Sequence, residues 1–138
     1  MMDQAERIER LLQAPYWVVD ILPEQVPKDC PGQYFAVEKY FLSWPQIAAV
    51  KQRHIDLILK LNCYMDLSLD EEPEINPPPG EIAEAMRRRY VSILLKDAMI
   101  VSEPDDTCLT VYDPDAETLR LLRVLAAGEG LYVWQPET

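Results

Sequence analysis

The sequence predicts an α+β fold, a two-layer sandwich in which a mixed, mainly antiparallel sheet of about six strands carries helices mainly on one face. Three observations lead there. Segments with helical periodicity alternate with short β-branched or aromatic runs. Hydrophobic residues make up 49% of the chain and charged residues 27%, a globular composition. At 138 residues the chain is long enough for one core and short for two, so a single domain over residues 1–138 is expected.

Asp3 can cap a first helix that places Ile8, Leu11 and Leu12 on one side and stops at Ala14-Pro15, where proline ends the hydrogen-bond ladder. Tyr16 to Leu22 is aromatic and β-branched and ends at Pro23, which reads as a strand. Glu24 to Gly32, with Pro27 and Pro31, is an irregular connection. Tyr34 to Leu42 fits a helical stripe through Tyr34, Val37, Phe41 and, just beyond, Trp44, but its aromatic enrichment and shortness favour a strand, and a strand is expected. Ser43-Trp44-Pro45-Gln46 then has the form of a capping box with proline in the first turn. The helix it opens runs to about Leu61, with Ile47, Val50, Leu57, Ile58 and Leu61 on its apolar face.

Cys63 to Leu69 alternates polar and apolar residues and reads as a half-buried strand. Residues 70–80 combine Asp70, Glu71, Glu72 and Glu74 with Pro73, Pro77, Pro78 and Pro79, an extended and mobile loop by composition, set between two structural halves. Glu81 to about Lys96 reads as a helix bearing Ile82, Met86, Tyr90 and Ile93. Met99 to Glu103 and Thr107 to Tyr112 flank the turn sequence Pro104-Asp105-Asp106 and form a hairpin. Asp113-Pro114-Asp115 starts a last helix with Leu119, Leu122 and Leu125 inside, Gly128 ends it, and Leu131 to Gln135 closes the chain as a strand. The resulting order, helix, strand, strand, helix, strand, occurs twice, so a duplication of elements without residue identity is a hypothesis.

Strand alternation then sorts the side chains. With the aliphatic set turned toward the helices, the opposite face receives Tyr16, Asp20, Tyr34, Glu38, Tyr40, Tyr64, Asp66, Tyr112, Tyr132 and Trp134, which include six of the seven tyrosines. Rigid rings with polar tips, interleaved with carboxylates, suit recognition of a cationic or basic partner. The blander explanation is that tyrosine is simply a good solvent-facing strand residue. A third is that two copies bury these faces against each other as a homodimer.

Lys and Arg number 13 against 24 Asp and Glu, a formal net charge of −11, which argues against nucleic acid and anionic membrane as partners. Met1 to Arg7 has no leader pattern, no apolar run reaches spanning length, and Cys30, Cys63 and Cys108 form no C-x-x-C pair, so a reduced, cytoplasmic protein is expected. His54 is the only histidine and falls on or beside a buried helical stripe, which reads as a core histidine and leaves no metal site to expect. Four glycines and no phosphate-loop or nucleophile-elbow motif leave no cofactor to expect. Arg87-Arg88-Arg89 spreads around its helix as a solvated surface. Glu103, Asp105, Asp106, Asp113, Asp115 and Glu117 are explained as turn residues and caps.

The functional expectation is a non-catalytic protein-binding or regulatory module, of inhibitor or immunity type by analogy, for a basic protein. The alternative is a small enzyme or small-molecule binder using a pocket on the same face, with Asp20, Glu38 or Asp66 as acid or base.

Overall fold

The computed structural model describes residues 3–137. Met1, Met2 and Thr138, which the reading of a leader and of a domain over 1–138 also covered, lie outside the described residues. The elements are α1 (Gln4–Leu11), β1 (Tyr16–Asp20), α2 (Tyr34–Leu42), α3 (Gln46–Asn62), β2 (Ser68–Leu69), α4 (Pro79–Arg88), β3 (Val91–Leu94), β4 (Met99–Ser102), β5 (Leu109–Tyr112), α5 (Ala116–Gly128) and β6 (Tyr132–Trp134). The six strands form one sheet in the order β2-β3-β4-β5-β1-β6, and every neighbouring pair is antiparallel. The α+β sandwich is therefore present.

Alternation explains the two faces. Ile93, Ile100, Val111 and Leu109 meet the helical layer, in one core with Ile55, Leu57 and Ile58 of α3, Ile82 and Met86 of α4 and Leu122 of α5. Val91 to Leu94 and Met99 to Ser102 are buried at every position, because the other face of these strands is covered too. There α1 packs Leu11 and Ile8 over Leu94, Met99 and Val101, with Tyr112 at the margin. Burying a large aliphatic side chain contributes about 1.5–3 kcal/mol, so this second, smaller cluster anchors α1 as well as any cap does. The cap is present as well: the Glu6 backbone N–H donates to the Asp3 carboxylate at 2.8 Å.

Several expectations are corrected. Tyr34 to Leu42 is a helix, not a strand. Its ladder closes from the Val37 N–H to the Gln33 carbonyl, and Tyr34 Oη donates to Glu38 Oε2 at 2.8 Å, a pairing that only i,i+4 geometry permits. Aromatic content misled because it weighs the same in a strand as in a helix that no core covers. Ser43 does not cap α3; its hydroxyl donates backward to the Lys39 carbonyl, and Pro45 stands at the N-cap without a side-chain bond. Of the strand expected from Cys63 to Leu69, only Ser68 and Leu69 pair with β3. The backbone through Cys63, Tyr64 and Met65 continues α3 as turns that bond back to Lys60 and Leu61.

The helix expected from Glu81 to Lys96 ends at Arg88, and Val91-Ser92-Ile93-Leu94 is a strand. The repeat of elements consequently dissolves: helix, strand, helix, helix, strand precede the acidic loop, and helix, three strands, helix, strand follow it. That loop is tied down rather than free. Ser92 N–H donates to Asp70 Oδ1 at 3.0 Å and Leu67 N–H to Asn76 Oδ1 at 3.0 Å, with Asn76 in the left-handed region at φ 57°. No helix among the described residues is long and apolar enough to cross a membrane.

Candidate functional site

Strand register divides the molecule into two ends. Tyr16 lies opposite Tyr112, and Tyr112 opposite Met99, at one end; Val19 lies opposite Leu109, and Leu109 opposite Ser102, toward the other. The tyrosine-and-acid set expected on one face is distributed between these ends, and the continuous surface is corrected accordingly. Tyr16 and Tyr112 stack at the first end with ring centroids 5.7 Å apart. Tyr64 is exposed in the turn after α3, and Asp66 accepts a 2.8 Å hydrogen bond from Asn76 in the approach to β2. Asp20, Tyr34, Glu38, Tyr40 and Tyr132 belong to the second end, where Asp20 and Tyr132 are register partners and α2 brings its residues alongside. Trp134 is half-buried opposite Val18, its indole N–H donating to the Leu22 carbonyl at 3.1 Å.

The second end carries the most unusual surface. In α2 no residue is buried, although seven of its nine residues are Tyr, Phe, Ala, Val or Leu. Phe35 is 79% exposed, Tyr40 56%, and Trp44, just beyond the helix, 79%. Phe35 meets Tyr34 edge-on at 5.4 Å and Phe41 meets Tyr40 edge-on at 5.2 Å, an arrangement favoured by the ring quadrupoles. The helix rests on α3. The stripe through Tyr34, Val37 and Phe41 did not mark this patch, because a helix apolar on most sides has no single buried face to detect.

Carboxylates border it. Glu38 is on the helix, and Asp20 lies beneath, 8% exposed. Burial pushes the Asp20 carboxyl above its ordinary range, against the opposing hydrogen bonds of the Cys108 thiol and the Ile21 and Leu22 amides. Burial, followed by the charge of Asp20, likewise pushes the Cys108 thiol up. A thiol raised in this way is a poor nucleophile. The space enclosed by Asp20, Tyr34, Glu38 and Thr107 is about 20 Å³, room for roughly one water.

On the helical side of the same end, Lys51 is 4% exposed and donates to His54 Nδ1 at 3.0 Å and to Ser102 Oγ at 3.3 Å. Burial lowers Lys51 to about 8, against the opposing charges of the carboxylates Asp106, Asp105 and Glu103. His54, fully buried, is lowered to about 3 by burial and then by the Lys51 charge. Accepting at Nδ1 places its proton on Nε2, which has no hydrogen-bond partner among the described residues. His54 is thus a core residue, as its spacing predicted. The arginine run is surface: Arg88 pairs with Glu84, Arg89 with Asp70 at 2.5 Å, and Arg87 reaches Gln52.

At the first end, a cleft of about 740 Å³ opens between α1, the approach to β2, the acidic loop, the β3–β4 turn and the start of α5. Only Asp66 of the expected site residues lines it. Strand alternation could not locate it, since loops and helix termini supply most of its walls. No protein-family model, no curated protein and no solved structure matches the chain.

Proposed function

We propose that the protein is a non-catalytic, cytoplasmic binding or regulatory module of inhibitor or immunity type, which captures a basic protein on α2 and the acidic groups beside it. The observation that carries this is a nine-residue helix of largely apolar composition with no buried residue. Leaving such side chains in water forgoes about 1.5–3 kcal/mol each, and rigid aromatic anchors are what protein interfaces bury at their centres. Glu38 on the helix, and Glu103, Asp105 and Asp106 in the β4–β5 turn that leads to Thr107, supply negative charge around the apolar patch. A net charge of −11 adds long-range attraction for a cationic partner. The cytoplasmic setting is supported by three free cysteines, two of them exposed. A single domain is supported by one core that draws on residues from both sides of the acidic loop.

The test places a photo-crosslinking residue at Phe35 in the native cell, with Val124 on α5, 60% exposed, as the control position. The expected result is an adduct from position 35 alone, with a protein of basic isoelectric point, whose yield falls as salt is raised. Phe35→Glu and Trp44→Glu should abolish binding of that protein while changing stability by less than about 0.5 kcal/mol, as expected of surface substitutions. An adduct with a second copy of this chain, or equal adducts from both positions, overturns the reading.

A further inference from the structure

We infer that the cleft at the end of the sheet remote from α2 is a binding site for a small organic cation with an apolar body, an alkylammonium or arylalkylammonium. Its volume of about 740 Å³ falls in the range of small-molecule sites. The inner wall is aliphatic, with Met65, Leu67 and Leu94 presented by β2, its approach and β3. Pro73 and Ile75 form the outer wall, and Ile75 is left 59% exposed beside the opening.

The charges select the ligand's sign. Four carboxylates, Asp66, Asp97, Asp115 and Glu117, line the cleft with two cations, Arg7 and Lys96. Arg7 is engaged: its guanidinium donates to the backbone carbonyls of Leu95 and, at 2.6 Å, of Lys96. Lys96 acts on Asp115, whose carboxyl is held below its ordinary range chiefly by the Thr118 amide. Glu117 pairs with Arg120 at 2.5 Å. Asp66 and Asp97 have no ion-pair partner among the described residues. Four carboxylates against two cations leave an excess of negative charge over the aliphatic wall, which attracts an ammonium whose remaining surface gains by leaving water and disfavours carboxylate or phosphate ligands.

The walls are already in place. Gln4 reaches Ser68 Oγ at 3.5 Å, and Asn76 bridges Asp66, Leu67 and Asn62 at 2.8, 3.0 and 2.8 Å, which fastens the outer wall to the sheet. Little ordering is left for the ligand to supply.

The test titrates n-octylammonium, 1-octanol and octanoate into the full chain and follows backbone amide resonances. Octylammonium is expected to shift the Ser68, Ala98 and Thr118 amides and to bind about tenfold more tightly than octanol, with octanoate weakest. The Asp66→Asn, Asp97→Asn double variant is expected to keep a native spectrum and bring amine and alcohol within about twofold. Equal binding of amine and alcohol to the parent chain, shifts centred on α2, no shift at these amides up to millimolar amine, or a preference that survives the double variant overturns the inference. Because the readout sits at the other end of the sheet, failure of docking on α2 leaves this result unaffected, and the reverse holds too.

Discussion

Replacing Lys51 by methionine removes a buried ammonium while keeping most of the side chain's volume, and its consequence is best read as a dependence on pH. Lys51 is 4% exposed, hydrogen-bonded to His54 and Ser102, and without an ion-pair partner among the described residues. Burial brings its pKa from 10.5 to about 8. Between those values the unfolded chain holds the proton and the folded chain does not, so unfolding takes up a proton and stability rises with pH across that window. Below pH 8 both states are protonated and the burial penalty on the charged form is present in full. Each pKa unit corresponds to about 1.4 kcal/mol, so the parent should gain on the order of 2–3 kcal/mol relative to Lys51→Met between pH 7 and pH 10. Tyrosines and cysteines titrate in the same range with the opposite sign when their pKa values are raised, as for Tyr112 and Cys108, but they are common to both chains and cancel in the difference. Urea unfolding of both proteins at pH 7, 8, 9 and 10, with matched m-values, measures it. A difference that stays flat, or that falls as pH rises, refutes the assignment of Lys51 as a desolvated cation.

Two further expectations concern the same physics and the loop. His54 is held neutral with a pKa near 3 instead of 6.5, so the folded state resists protonation and stability is lost as pH falls below 6.5. His54→Leu should remove roughly 3 kcal/mol of that loss between pH 6.5 and pH 4, seen as a flatter curve of urea midpoint against pH. Asn76→Ala should destabilise the protein by about 2–4 kcal/mol, since it removes three side-chain hydrogen bonds and leaves a β-carbon at φ 57°. Asn76→Gly should cost less because it relieves only the second penalty, and hydrogen exchange at the Leu67 amide should quicken in both variants.

What the sequence could determine was whatever local chemistry settles by itself. Asp3 and Asp115 each accept from the amide three residues on, at 2.8 Å, and begin α1 and α5 at the places their patterns indicate. The hairpin of β4 and β5 follows from Pro104-Asp105-Asp106 between two alternating runs. Within β1, β5 and β6, alternation placed Val19, Leu109 and Val111 inside, with Tyr16, Tyr112 and Tyr132 on the other face. The α+β class rests on these elements, because capping and pleat act over a few residues and need no distant partner.

The tertiary structure decided the rest. Val91 to Leu94 became a strand because α1 supplies a second buried face for Leu94 while the helical layer takes Ile93. A helix that rests on α3 yet buries none of its residues left a periodic trace in Tyr34 to Leu42 too weak to outweigh the aromatic content, so the aromatic surface could be found by composition and misplaced by element. Asp20 and Glu38 line one small space because α2 folds back over the end of β1, and the cleft exists because five separate segments converge there. Pattern along a chain reports which side of an element faces apolar surroundings; which segments come together is set by packing among residues far apart in sequence, a property that no local window contains.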